Sequence, residues 1–457
     1  MLARHVPELV IDNFLAMLRD IASGVDAYVP LDSVSDPDES RLLNTPDDPA
    51  QIHELGKAGK GLLERVVLIK LNGGRSTTMG GDVPKGILAA KSGRSYLEIV
   101  AGQVKAVEKQ WGVRVPLVLM NSFFTHDATL GVIGKLEIPV RTFVQNQVPR
   151  LVADTLAPLQ TGTEEDWAPP GHGDVYQTLR LSGLLDEFIS SGRRWAFISN
   201  VDNLAATLEP WILGLIDHHG IDFLIEVTDR TESDRKGGTL VMRSGRLDLL
   251  EIAQVSPEDK DAFMDLERFP VFNTNNVWVD LRAVAKALDL GELKFPIIQN
   301  SKVVAGAGVI QLETAMGAAI GCFPAASGLR VSRDRFFPTK KVEDLFVLQS
   351  DACILDAMDR IRSNPLRPSD LPLRPEVIFG SDFLASPLEI QFRFEDPSSI
   401  SMVKAESLEV QGPVFFERDV TIEGRVRVIA RSGHTYPIRK GSTLRDALYS
   451  DEAHTDL

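Results

Sequence analysis

The sequence predicts an α/β protein built on a mainly parallel mixed sheet, followed by a smaller β-rich C-terminal unit. Two observations carry this. First, short apolar runs recur along the chain: VVLI at 66–69, VPLVLM at 115–120, RWAFIS at 194–199 and FLIEVT at 223–228, with helical segments between some of them. Such runs read as strands buried on both faces, and their alternation with helices indicates parallel crossover units. Second, the pattern changes beyond about residue 365. LEVQGPVFF (408–416) and VTIEGRVRV (420–428) share an alternating apolar–glycine–valine pattern twelve positions apart. Period-two alternation means strands, and the similarity suggests a small β-repeat.

The elements follow in chain order. MLARHVPELVIDNFLAMLRDI reads as an amphipathic helix, with Leu9, Phe14, Leu15, Leu18 and Ile21 recurring at helical spacing. His5, Glu8, Asp12, Arg19 and Asp20 interrupt any apolar core, so it does not read as a signal peptide. Residues 30–60, with PLDSVSDPDES and NTPDDPA, are polar and punctuated by proline, and read as loop or linker. YLEIVAGQVKAVEKQW (96–111) sets Leu97, Val100, Val104, Val107 and Trp111 on one helical face. The proline-rich NPLRPSDLPLRPE (364–376) marks a boundary. The expected division is an N-terminal helical segment and linker (1–60), an α/β catalytic domain (61–363) and a C-terminal β domain (364–457).

Composition narrows the function. The 457-residue chain carries a net charge of -15, which argues against nucleic-acid binding by charge. A small phosphorylated ligand needs only a local cationic pocket. The two cysteines, Cys322 and Cys353, form no disulfide framework or thiolate zinc site. No stretch qualifies as transmembrane. The expected compartment is the cytoplasm.

In a parallel sheet, ligands sit at the carboxyl ends of the strands. The loops there are polar and glycine-rich: LNGG after VVLIK, NSFFTHD after VPLVLM, NVDN after WAFIS. LNGGRSTTMGGDVPKG fits neither the Walker spacing nor the dinucleotide fingerprint. Its ingredients still suit a phosphate: Gly73 and Gly74 for close approach, hydroxyls on Ser76, Thr77 and Thr78, and Lys85 as a mobile charge. Pattern alone leaves a plain strand-to-helix turn equally open. Asp202 ends a strand, where a carboxylate can hold Mg²⁺ beside phosphates or simply cap the next helix. His172, in PPGHGDVY, is a candidate base or donor, or a surface histidine. The asparagines of FNTNNVWV (272–279) suit sugar hydroxyls or a turn. Lys340 and Lys341 follow a proline turn, where a solvated pair is the simplest reading.

Together these stretches resemble the eukaryotic-type UTP–glucose-1-phosphate uridylyltransferase (UDP-glucose pyrophosphorylase) family. The resemblance runs in order over residues 65–350 through KLNGG (70–74), PLVLMNSFxTHD (116–127), PPGHGDVY (169–176), SNVDN (199–203), KGGTL (236–240), LLEIAQV (249–255), FNTNNVWV (272–279), QLETAMGAAI (311–320), SRDRFFPTK (332–340) and LQSD (348–351). It implies a Rossmann-like nucleotidyltransferase domain followed by a left-handed β-helix. It implies Mg²⁺-dependent formation of UDP-glucose and pyrophosphate from UTP and glucose 1-phosphate. Another hexose 1-phosphate, or sugar-nucleotide binding without turnover, are the alternatives. Carried over by motif, Leu71, Asn72, Gly73, Gly74, Gln145, Gly171, Asn200 and Val201 would bind UTP. Lys85 and Lys340 would act on its phosphates as the catalytic cations, and Asp202 would hold the metal. His172, Gly238, Glu251, Asn273 and Asn275 would bind the sugar phosphate. The C-terminal domain reads as compact, so the family's oligomeric state does not transfer, and a homo-oligomer through that domain stays open. In one loop the chain departs from the family: Arg75-Ser76 replaces Leu-Gly, and Gly81-Asp82-Val83 replaces Cys-Lys-Gly. Arg75 is a candidate for a phosphate contact. Ser76 fits poorly if its position needs φ > 0.

Overall fold

The computed structural model describes residues 1–23, 28–431, 433–451 and 455–456. Its centre is an eight-stranded sheet. In chain order the strands are β1 (Leu42–Asn44), β2 (Val66–Asn72), β3 (Leu117–Asn121), β4 (Val140–Val144), β5 (Trp195–Asn200), β6 (Phe223–Asp229), β7 (Val271–Asp280) and β8 (Ala326–Arg330). Their spatial order is β1-β8-β6-β7-β5-β2-β3-β4. Every neighbouring pair is parallel except those made by β7, which runs antiparallel to both β5 and β6.

The apolar runs are strands because both faces are covered. In β2, Val66 and Leu68 face one core while Val67, Ile69 and Leu71 face another. The helix Tyr96–Trp111 packs in the first core, as does Pro210–His219. The helices Val175–Leu181, Leu184–Ser190 and Leu281–Asp289 fill the second. The helix predicted over 96–111 forms with those bounds. Ser95 and Glu98 cap its start reciprocally, and Gly112 ends it in the left-handed region at φ 69°.

Three expectations are corrected. Residues 30–60 are not all linker: they contain β1, at the sheet edge, and the helix Pro49–Lys60. Asp48 accepts from the Ala50 N–H, with Pro49 at the first helical position. That helix crosses Pro210–His219 so closely that a Cβ on Gly59 would lie 1.7 Å from Pro210 O. Gly214 of the second helix makes the same approach from its side, a Cβ there lying 2.1 Å from Leu55 O. The N-terminal helix, Glu8–Ala22, forms as expected but buries Val10 and Phe14, while Leu9 is 52% and Leu15 37% exposed. The C-terminal repeat is real but longer than twelve residues. Glu376–Phe379, Ser401–Gln411, Thr421–Ile429 and Thr443–Ser450 stack as a parallel sheet, and Val414–Phe416 pairs in parallel with Tyr436–Ile438. From Ser401 to Ser450 stacked partners lie eighteen to twenty-two positions apart, as with Leu408 beside Val426 and Thr421 beside Thr443.

Among the described residues no helix is long and apolar enough to cross a membrane, and neither cysteine is in a disulfide.

Candidate active site

The loops at the carboxyl ends of β2, β3 and β5 converge with the amino-terminal half of the antiparallel β7. Asn200 and Leu71 are register partners at the ends of β5 and β2. The Val201 N–H donates to Leu71 O at 3.1 Å. Beside them, a Cβ on Gly73 would lie only 2.7 Å from Gln145 Nε2. Ser122 Oγ donates to Gly73 O, holding the turn against β3. The Asn72 side chain does not face this space. It is buried, donating to Asn121 Oδ1 and Thr129 Oγ1.

The departing loop is closed by its own substitutions. Arg75 pairs with Asp82 at 3.0 Å and Glu165 at 3.2 Å, and its guanidinium lies 4.0 Å from the Phe124 ring centroid. Ser76 is buried: its N–H donates to Val83 O, and its Oγ accepts from the Val83 N–H. Ser76 does not adopt positive φ, so losing the glycine brings no strain. Its hydroxyl is used inside the loop. The Thr78 side chain lies outside the described set.

The cationic centre is compact. Lys85 Nζ donates to Asp202 Oδ2 at 2.8 Å and to Thr339 O at 2.9 Å. Lys340 Nζ approaches the same carboxylate oxygen at 3.7 Å from a more exposed position. Burial opposes ionisation of Asp202, but the Lys340 and Lys85 ammonium groups outweigh it and hold the carboxyl below its usual range. Asp202 is therefore an anion, not a helix cap. Its other oxygen, Oδ1, is buried with no hydrogen-bond partner. A buried carboxylate oxygen left open beside two cations fits a magnesium ligand, since Mg²⁺ takes one or two carboxylates with phosphate oxygens. Among the described residues no cluster of three acidic, histidine or cysteine side chains offers a protein-only cage.

Gly171 opens the neighbouring turn at φ 85°, and a Cβ there would lie 2.4 Å from Thr314 O. Only glycine fits. His172 accepts at Nδ1 from the Met316 N–H at 2.8 Å, so its remaining proton sits on Nε2. Burial, then the Lys340 charge, push this imidazole down to about 4. It is neutral at pH 7 and suited to donate a hydrogen bond. The next turn of the site is polar. The Asn273 N–H donates to Gly238 O, a Cβ on Gly238 would lie 2.5 Å from Glu251 Oε1, and Asn275, in the left-handed region at φ 57°, donates its N–H to Asn273 Oδ1. Burial pushes the Glu251 carboxyl up to about 7, against the Asn273 hydrogen bond and the Arg230 charge.

The residues singled out from sequence thus fall into linked clusters at one sheet edge. Sequence reasoning missed Thr339, Thr314 and Met316, which work through backbone atoms and leave no side-chain signal. It also missed Asp174, a buried carboxylate accepting from the Asn146 N–H and Nδ2 beside Gln145. The acidic residue inside PPGHGDVY was the available clue.

A glycine turn at the strand ends, two lysines around a buried aspartate and a polar cluster on β7 make a cationic centre suited to an anionic ligand. The chain belongs to the UTP–glucose-1-phosphate uridylyltransferase family, whose sequence profile matches residues 11–423. It is 40% identical over 445 residues to the enzyme of that name from Hordeum vulgare, covering 95% of this chain and 92% of the relative. The Saccharomyces cerevisiae enzyme is 38% identical over 396 residues, covering 84% and 78%. A Trypanosoma brucei UDP-glucose phosphorylase structure superposes with a TM-score of 0.85 at 33% identity, over 98% of this chain and 97% of that one. A Leishmania major UDP-glucose pyrophosphorylase mutant in complex with UDP-glucose does so with a TM-score of 0.85 at 31% identity and the same coverage.

Proposed function

We propose that this protein forms UDP-glucose and pyrophosphate from UTP and glucose 1-phosphate by direct in-line attack, reversibly. The observation that carries this is the Lys85–Asp202–Lys340 cluster, tied to the glycine turn of β2 where the Lys85 N–H donates to Gly74 O. A phosphate oxygen of glucose 1-phosphate forms a bond to the α-phosphorus of UTP. The bond from that phosphorus to the bridging oxygen breaks, and pyrophosphate leaves with the electron pair. Positioning and charge stabilisation suffice, with no covalent nucleophile.

In this reading Leu71 to Gly74, Gln145, Gly171, Asn200 and Val201 hold the uridine and the first phosphate. The Lys85 ammonium stabilises the leaving pyrophosphate, and that of Lys340 the reacting phosphate. His172 donates from Nε2 to the sugar-side phosphate or ribose. Gly238, Glu251, Asn273 and Asn275 take the glucose hydroxyls; near-neutral titration lets Glu251 donate as well as accept. Asp202 holds Mg²⁺, which when bound neutralises charge on the phosphates. We place the enzyme in the cytoplasm. We further infer that residues 61–363 form the catalytic domain after an N-terminal segment (1–60), and that residues 364–457 wind as a left-handed β-helix, a possible surface for self-association.

The test is a pyrophosphate-release assay with UTP, Mg²⁺ and a panel of sugar 1-phosphates. Release with glucose 1-phosphate is expected. Release only with another sugar overturns the glucose assignment. UDP-glucose binding without release from any sugar overturns the enzymatic reading.

A further inference from the structure

Beneath the cationic centre lies a buried network that touches no candidate substrate group. Glu226, in β6, is fully buried. Arg335 grips it with both ends of its fork, Nε to Oε2 and Nη2 to Oε1, each at 2.8 Å. Trp278 Nε1 donates to Oε1 at 2.9 Å, and Asn276 Nδ2 to Oε2 at 3.2 Å. From there the contacts run to the site. Arg335 Nη2 also donates to Thr207 O at 2.9 Å. Asn203, next to Asp202, donates from Nδ2 to Asn276 Oδ1 and accepts at Oδ1 from the Phe337 N–H. The Thr339 N–H donates to Asp202 O at 3.2 Å. The segment ending in Lys340 is thereby fastened to the segment beginning at Asp202, with Glu226 as the anchor behind both.

A buried ion pair gains little net stability over apolar residues of similar volume, but a fully bonded one can specify geometry. We propose that Glu226, acting through Arg335, is a positioning residue: it sets the Lys340 ammonium against the Asp202 carboxylate, so that losing its charge slows the chemical step while sugar-nucleotide binding persists. The proposal rests on assigning Asp202 and Lys340 to the reacting phosphates. A misplacement of about 1 Å can cost about 100-fold in rate. The UDP-glucose contacts proposed at Gly73 and Gln145 lie after β2 and β4, outside this network, and should hold, while Asn273 shares β7 with Asn276 and Trp278 and depends on the shape that Glu226→Gln keeps.

The experiment uses Glu226→Gln, which keeps shape and removes charge. Turnover is measured with UTP, glucose 1-phosphate and Mg²⁺, and UDP-glucose affinity by calorimetry without Mg²⁺. The expected result is a kcat lower by about 10- to 100-fold, with UDP-glucose affinity near wild type. Arg335→Lys keeps a cation but loses the fork, and should fall between. Wild-type kcat in folded E226Q overturns the proposal. So does a parallel loss of kcat and affinity, which is what general loosening produces. If E226Q does not fold, R335K is judged by the same two readings. Wild type and Lys340→Ala are run alongside. No turnover by wild type refutes the enzymatic function, and normal turnover by K340A refutes the site assignment; either is distinguishable from failure of the positioning role.

Discussion

At the scale of single residues, charge and backbone conformation decide what each site group can do. Lys340 reaches Asp202 from the open side, whereas Lys85 is committed to Asp202 and Thr339. Lys340→Ala should therefore lower kcat by orders of magnitude with an unchanged circular-dichroism spectrum; near-normal turnover would refute its role. Gly171→Ala meets both a positive φ and Thr314 O. It should cost about 1–3 kcal/mol, read as a lower denaturant midpoint, and raise the KM for UTP. Glu251 makes a pH prediction. Its carboxyl titrates near 4.5 when unfolded and at about 7 when folded, so between these values the folded state binds the extra proton. Its contribution to stability is present below about pH 4.5 and lost as pH rises through 7. Glu251→Gln should abolish that decline, so the difference between wild-type and mutant stability curves should slope across pH 4.5–7 and be flat outside. A flat difference throughout would mean the carboxyl is not buried as described.

At the scale of elements, the strands were legible because β2, β3, β5 and β6 are covered on both faces, leaving continuous apolar runs with no helical period. The helix Pro49–Lys60 was not. Its surroundings, NTPDDPA and GKAGKG, have the composition of a linker, and its stability comes from an Asp48 cap and a glycine contact with another helix. Composition cannot reveal a contact partner 150 residues away. Asp48→Ala should cost about 1 kcal/mol, measurable by chemical denaturation. Of the candidate site's side chains, Lys85, Asp202 and His172 stood out as loop residues, and Glu251 through the family resemblance alone. The altered loop was not, because Arg75 and Asp82 read as two separate departures until folding paired them at 3.0 Å. β2 also carries a lysine in an apolar run. Lys70 is fully buried and donates to Ser199 Oγ and Ala206 O. Burial, with the Arg335 charge, lowers its ammonium to about 7 from 10.5. The unfolded chain then binds more protons between these values, so stability should rise with pH across 7–10.5. Lys70→Met should remove that rise.

At the scale of the whole molecule, the C-terminal strands differ in architecture from the sheet but not in core. One hydrophobic cluster runs from Leu68 and Phe197 through Leu345 and Phe346 to Phe394, Phe416 and Val426. Its junction is aromatic. Phe346, on the helix Val342–Gln349 that follows Lys340, stacks on Phe394 at 4.6 Å, and Phe394 on Phe416 at 5.1 Å. The first of these contacts crosses the boundary expected at residue 364, and the second continues it into the C-terminal strands. Separate cores would give separate melting steps; a shared core makes each part depend on the other. Thermal unfolding should therefore be one transition, with loss of activity and loss of secondary structure at the same midpoint. Phe394→Ala removes a fully buried ring and should cost about 3–5 kcal/mol, moving both midpoints down together although the residue is in the C-terminal unit. A chain cut after residue 363 would expose Leu345 and Phe346, directly behind Lys340, and should aggregate or lose turnover. If that truncated chain stayed folded and active, or if Phe394→Ala split the melt into two steps, the shared core would not be what holds Lys340 in place.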